Sequence, residues 1–263
     1  MTIRTVTSLT NPTVKAVRAL HMRKARDETG LFVAEGLKTV IEGVETGHAP
    51  RILMYGQGAA DHPLLQNALR ATQQNRGEVI EVTQDILAKV SRRDNPQAVV
   101  GVFAQVSRPL AEIDPAAAPC FVALHRVRDP GNLGTIIRTA DAAGCGGVIL
   151  VGECCDPWSV EAVRATMGSI FAVPLSLASE AEFTAWRAGW PGAVVGTLLS
   201  ADVDHRQATY AKPALLLMGN EQQGLPPEMA ELCDVNVKIP MRGRADSLNL
   251  SVATGVMIYA ATA

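Results

Sequence analysis

Residues 129–144 read DPGNLGTIIRTADAAG. Pro130, Gly131 and Gly134 form a turn that leads into a helical pattern, and that pattern carries one arginine, Arg138, among small and aliphatic side chains. Just before it, CFVALHRV (residues 120–127) is an apolar run of strand length. A strand followed by a glycine turn and a helix is a unit of α/β architecture, and open α/β sheets bind ligands outside the carboxyl ends of their strands. The turn is not an ordinary phosphate cradle. A dinucleotide site needs GxGxxG, whereas this one reads Gly131-Asn-Leu-Gly134, and GxxxxGK[ST] is absent.

Working outward, the same alternation fills the rest of the C-terminal half. GGVILVG, FAVPLSL, GAVVGTLL, PALLLMG and VNVKIP read as strands. SVEAVRATMG, EAEFTAWRAG and the final SLNLSVATGVMIYAATA read as helices, with a turn and short helix at NEQQGLPPEMAEL. Strands apolar on both faces and alternating with helices predict a mostly parallel sheet covered on both sides. Toward the N-terminus, residues 12–25 form a predicted helix opened by Asn11-Pro12, a cap followed by a first-turn proline. LFVAEG, RILMYG, EVIEV and AVVGVFAQV are strands separated by helical segments. Between the halves, SRPLAEIDPAAAP (107–119) has three prolines and no periodic apolar face, and reads as a linker. The expected organisation is therefore a small α/β domain over 1–106, a linker over 107–118 and a larger α/β domain over 119–263.

Composition narrows the class. Of 263 residues 48% are hydrophobic and 19% charged, as in an ordinary soluble globular protein. No apolar run approaches the roughly 20 residues of a membrane span, and the N-terminus lacks the apolar core of a secretory signal, so a cytoplasmic protein is expected. Five cysteines without a CxxC pair read as reduced thiols; Cys154-Cys155 is weak ground for a metal site, and none is expected. The net charge of −2 hides an uneven distribution. Residues 1–26 hold Arg4, Lys15, Arg18, Arg23, Lys24 and Arg26 with no acid, a segment attracted to a polyanion such as nucleic acid, or simply a solvated basic face.

No GxSxG elbow, HExxH pair or Ser/His/Asp arrangement is present. What remains is three polar, glycine-punctuated stretches, each after a predicted strand: DPGNLGTIIRTADAAG, MGNEQQGLP (218–226) and IPMRGRADSLNLSVATG (239–255). In this order and spacing they resemble the three motifs of the SPOUT class of RNA methyltransferases, in its SpoU/TrmH branch of ribose 2′-O-methyltransferases. NPTVKAVRAL and FVAEGLKTVIEG are similar to that family's small substrate-binding domain, so the resemblance spans nearly the whole chain.

The resemblance implies an α/β domain with a parallel sheet and a deep trefoil knot, beside a small N-terminal α/β domain that binds RNA. It implies S-adenosylmethionine as cofactor, RNA as substrate, most readily ribosomal RNA, and a homodimer whose knotted domains pair to complete the sites. It places Asn132, Arg138, Glu221, Ser247 and Asn249 in the catalytic centre. Backbone groups around Gly219, Ile239 and Leu248 would hold the cofactor's adenosine, with Thr197, Leu217 and Met241 lining the same cavity. A tRNA 2′-O-methyltransferase, or an RNA-binding protein with an idle cofactor pocket, are the alternatives.

Each residue type suits that chemistry. Transfer from a sulfonium donor needs an oxygen nucleophile held in line, at about 3 Å. A ribose hydroxyl needs its proton removed or its developing charge stabilised. Arginine stays protonated, so Arg138 is expected to clamp a phosphate and stabilise the incipient alkoxide rather than act as a free base. Ordinary structural roles stand beside these: Asp141 could pair with Arg138 on a helix surface, Asn132 or Ser247 could cap a helix, Asn249 could be an unremarkable first-turn residue, and Glu221 could be a first-turn acid. His125 reads as packed or exposed rather than catalytic.

Overall fold

The computed structural model describes residues 3–263. The chain divides into two compact units. One runs through Gln105 and also takes in Asp156–Ala172; the other consists of Val106–Cys155 and Val173–Ala263.

The first unit contains β1 (Arg4–Val6), α1 (Pro12–Ala19), α2 (Arg23–Thr29), β2 (Leu31–Glu35), α3 (Leu37–Glu45), β3 (Ile52–Gly56), α4 (Pro63–Gln74), β4 (Glu78–Val82), α5 (Gln84–Ser91) and β5 (Val99–Ala104). Its five strands lie in the order β1-β4-β3-β5-β2, with β1, β4 and β3 mutually parallel and β5 antiparallel to both β3 and β2. One core layer gathers Val14, Val17 and Leu20 from the first helix and its end with Ile86, Leu87 and Val90 of α5 over Met54, Ile80 and Val100.

The expected helix over 12–25 is two helices. Asn11 caps α1 as expected, its side chain accepting from the Thr13 amide at 2.9 Å. Leu20, His21 and Met22 then donate three residues back, tightening the turn. The carbonyl of Leu20 accepts instead from the Arg26 guanidinium at 2.7 Å. Arg26 is 4% exposed and paired with Asp156 at 2.6 Å, so this cation of the basic segment is a buried structural group.

Asp156 belongs to the stretch that the expected boundaries assigned to the C-terminal domain. This stretch contributes α7 (Val160–Thr166) to the first unit, where Arg164 makes a two-pronged bond to Glu35 at 2.8 Å and also donates to the Ser91 carbonyl. Phe171 completes an aromatic cluster with Phe32 and Phe103, its ring centroid 4.6 Å from that of Phe103. FAVPLSL is accordingly no continuous strand: Ser169–Phe171 forms a 3-10 turn, and the strand begins after Pro174.

The second unit contains β6 (Cys120–His125), α6 (Pro130–Ala142), β7 (Val148–Val151), β8 (Leu175–Ala178), α8 (Glu180–Arg187), β9 (Val194–Thr197), β10 (Val203–Asp204), β11 (Ala214–Met218), α9 (Pro227–Ala230), β12 (Val235–Lys238) and α10 (Leu250–Thr262). All seven strands are parallel, in the order β10-β12-β9-β11-β6-β7-β8. Every residue of β6 and β11 is buried, the signature of central parallel strands covered on both faces. The expected linker is packed: Leu110 and Ile113 lie against the core of this unit, and the Arg108 amide donates to Leu175 at 2.8 Å. No helix among the described residues is long and apolar enough to cross a membrane.

Candidate active site

Three loops leave the carboxyl ends of β6, β11 and β12, and a fourth leaves β9. Together with the start of α10 they enclose a cavity of about 840 Å³, within the size range of small-molecule sites. Its wall includes Asp129 and Asn132 from the first loop, Thr197–Ser200 from the β9 loop and Met218–Leu225 from the second. Ile239, Met241 and Ser247–Leu250 come from the third.

A chain of side-chain amides ties these loops together. The Asn132 side-chain N–H donates to Glu221 Oε1 at 3.1 Å, and Asn132 Oδ1 accepts from the Asn249 amide at 2.9 Å, across 117 residues of sequence. Glu221 also accepts from the backbone amides of Arg128 and Asp129, both at 3.1 Å. Partial burial works against the Glu221 carboxylate, but the Asn132 side chain and the surrounding backbone amides outweigh it and hold the group below the usual glutamate range. Two helices are anchored at the same spot. Asp129 caps α6, accepting from the Asn132 backbone amide at 2.6 Å, and Asn249 caps α10, accepting from the Ser251 amide at 2.9 Å.

The second loop requires its glycine. Asn220 and Gly224 exchange backbone hydrogen bonds, and Asn220 Oδ1 accepts from the Gln222 and Gln223 amides. A Cβ on Gly219 would lie 1.9 Å from the Gly224 carbonyl carbon and 2.1 Å from the Leu225 nitrogen, so any side chain there displaces backbone.

Of the eleven residues expected at the site, nine line the cavity: Asn132, Glu221, Ser247, Asn249, Thr197, Gly219, Ile239, Met241 and Leu248. Leu217 does not. It is fully buried on β11 among Phe121, Ala123 and Leu215, and Met218, one residue on and facing the other way, lines the cavity instead. Arg138 does not reach this chain's cavity either. Six helical residues after Asn132 amount to a rotation of roughly 240°, which puts Arg138 on another face of α6. There it is exposed, with no ion pair among the described residues, Asp141 included. His125 is packed, 2% exposed and hydrogen-bonded to Glu180 at 2.8 Å.

Several lining residues were not read from the sequence: Asp129, Leu198, Leu199, Ser200 and Asn220. Asp129-Pro130 carried a legible signal, an N-cap acid before a first-turn proline. The others become neighbours only through the sheet order.

Chemically the cavity is unusual in having no free base. Among the described residues its only ionisable lining groups are Asp129 and Glu221, and both accept hydrogen bonds that hold backbone in place. The buried Thr197 Oγ1 has no hydrogen-bond partner among the described residues, and Leu198, Leu225, Ile239, Met241 and Leu248 make an apolar part of the cavity wall. No group of three or more metal-ligating side chains occurs among the described residues. The fold and site thus define a parallel α/β domain whose cavity lies at the carboxyl ends of its strands, where open sheets of this kind bind ligands.

Comparison with known proteins identifies the class. Residues 119–259 match the SpoU rRNA Methylase family, and residues 11–101 match an MRM3-like substrate binding domain. The chain belongs to the SpoU rRNA methylase family. A crystal structure of an AdoMet-bound rRNA methyltransferase from Sinorhizobium meliloti is similar over 98% of this chain and 97% of its own, with 50% identity and a TM-score of 0.92. A 23S rRNA (uridine(2479)-2′-O)-methyltransferase of Streptomyces viridochromogenes is 33% identical over 92% of this chain and 86% of its own length. A 23S rRNA (guanosine(2553)-2′-O)-methyltransferase of Bacillus subtilis is 28% identical over 98% of both.

Proposed function

We propose that this protein transfers a methyl group from S-adenosylmethionine to a ribose 2′-hydroxyl of ribosomal RNA. The observation that carries the reading is the cavity itself: a nucleoside-sized site, rich in backbone and free of general bases, whose three loops are cross-linked by Glu221, Asn132 and Asn249. S-adenosylmethionine fits these residues. Thr197 Oγ1 offers an unused polar group, Gly219 lets backbone approach closely, and Ile239, Met241 and Leu248 provide an apolar seat for an adenine. When bound it supplies an electrophilic methyl on a sulfonium; the chain's own residues bind, orient and exclude water. Ser247 stands exposed at the rim, free to meet the RNA.

The proton on the 2′-hydroxyl has no acceptor among the cavity's side chains. Arg138 therefore enters as a fixed positive charge that clamps the target phosphate and stabilises the alkoxide as the proton leaves to phosphate or solvent. Since Arg138 is exposed and does not line its own cavity, the protein works as a homodimer in which each Arg138 serves the partner's site. The surface supports pairing. Beside α6, α10 exposes Val252 (53%) and Tyr259 (58%) on one apolar stripe with half-buried Val256. Close packing of the two helices is eased by Gly255, whose position lies within 4 Å of Thr139. The same family reading carries the deep trefoil knot, with the segment before α10 drawn through a loop.

The test is transfer of labelled methyl from S-adenosylmethionine to protein-free 23S rRNA, with mapping of the modified ribose. Activity is expected for the wild type and loss of about 100-fold or more for Arg138→Ala, with cofactor affinity within about twofold. Wild-type protein that binds the cofactor but methylates neither ribosomal nor transfer RNA would overturn the reading.

A further inference from the structure

The six cations of residues 4–26 are not equivalent in the folded chain. Arg26 is buried against Asp156, Arg4 pairs with Glu78 at 2.5 Å, and Arg23 and Lys24 each lie within 4 Å of an acid one turn on, Asp27 and Glu28. Lys15 and Arg18 remain, exposed on α1 and without an ion-pair partner among the described residues.

Sequence distance concealed their neighbours. α1 packs against α5, and His21, one turn beyond Arg18, bonds through Nε2 to the Val90 carbonyl at 2.6 Å. Val90 is flanked by Lys89, in the last turn of α5, and by Arg92, the left-handed residue that ends the helix at φ 52°. Both cations are exposed and have no ion-pair partner among the described residues, Asp85, four residues before Lys89, included. Arg92 also lies close enough to His21 for its charge, together with burial, to oppose His21 protonation. The remaining exposed positions of the two helices are Pro12, Ala16 and Ala19 on α1 and Gln84 and Asp85 on α5. A patch of unpaired cations with no exposed aromatic or large apolar side chain on either helix, Met22 in the turn after α1 being its one exposed apolar neighbour, is poor in the anchors of a protein interface and suits a phosphate backbone.

We propose that the paired α1–α5 face of the first unit is an RNA-binding surface on which Lys15, Arg18, Lys89 and Arg92 contact backbone phosphates, while Arg4, Arg23, Lys24 and Arg26 do not. This rests on the proposed RNA substrate and specifies where in the first unit that RNA is held. Contacts of this kind position RNA without reading its bases, and the recognition they give follows RNA shape.

The test compares two triple variants of the full chain that remove equal charge. One is Lys15→Gln, Arg18→Gln, Lys89→Gln; the control, elsewhere on the same unit, is Lys38→Gln, Arg51→Gln, Arg70→Gln. Binding to in vitro transcribed 23S rRNA is measured from about 0.05 to 0.3 M salt, with thermal melting and cofactor titration as checks on folding. At about 0.7 logarithmic units per phosphate contact, the face variant should lose on the order of 100-fold in affinity at 0.1 M salt. Its salt slope should flatten by about 2. The control should lose less than about threefold, and both should melt and bind cofactor like the wild type. A face variant that melts normally and binds RNA like the wild type overturns the surface assignment, as does a control that loses as much. If the wild type methylates the rRNA and the face variant does so with unchanged KM, the surface fails while the function stands; if the wild type neither binds nor methylates RNA, the functional reading itself has failed.

Discussion

Asn249 does two separable things with one side chain. Its carbonyl oxygen caps α10, and its amide holds Asn132, which in turn holds Glu221. Replacement by alanine removes a cap worth about 1 kcal/mol and leaves the buried Asn132 oxygen without its donor, at a further cost of about 1–3 kcal/mol. Serine restores the cap and not the amide. Asn249→Ser is therefore expected to unfold in urea earlier than the wild type by the cost of the orphaned Asn132 oxygen, Asn249→Ala earlier still by about 1 kcal/mol for the lost cap, and both to lose most methyl transfer. A serine variant with full turnover would show that the link to Asn132 is dispensable. At this scale the sequence was partly legible. The polar residues that gather at the cavity stand in the three motifs, but their partners do not: nothing local says that Asn249 rather than Ser247 caps the last helix, or that Glu221 bonds to the backbone before α6.

The elements themselves follow local pattern closely. Strands such as Cys120–His125 and Ala214–Met218 are short apolar runs bounded by turns, and helices such as α8 open with a complete capping box, Ser179 with Glu182. The departures have specific causes. β1 and β10, three and two residues long, are too short to leave an alternation. The break between α1 and α2 depends on Arg26 reaching back to Leu20, and the late start of the strand in FAVPLSL on Phe171 joining the aromatic cluster of the first unit. The element most sensitive to a single atom is the loop after β11. Because a Cβ on Gly219 meets backbone rather than a flexible side chain, Gly219→Ala must move residues 224–225 and with them the cavity floor. Calorimetry should show cofactor affinity falling by roughly tenfold or more, about 1.4 kcal/mol, in a protein that still melts cooperatively. Unchanged affinity would mean that this loop does not touch the ligand.

At the scale of the whole molecule, the proposed homodimer turns on whether Arg138 serves its own cavity or a partner's. Co-expressing Arg138→Ala with Asn249→Ala decides this. In a symmetric dimer with Arg138 acting across the interface, each mixed dimer rebuilds one intact site, pairing the normal cavity of the first variant with the normal arginine of the second. Random mixing should then restore about a quarter of wild-type activity from two nearly inactive parents. Activity no higher than that of the parents would place Arg138 in its own subunit's reaction or outside the reaction altogether.

By itself the sequence determined the alternation of strands and helices and the three glycine-punctuated loops after strands, which are written in neighbouring residues through side-chain periodicity, helix caps and the backbone freedom of glycine. The nine expected residues that line the cavity came from the resemblance of those loops to the family's motifs, not from local physics. Only the tertiary structure decided that Asp156–Ala172 belongs with the first unit, that Arg26 is an interior ion pair, that Leu217 faces the core and that Arg138 is exposed outside the lining of its own cavity. Those outcomes depend on strand order, helix phase and contacts between residues a hundred or more positions apart, where the free energy of burying or pairing a group is set by neighbours that no local window contains.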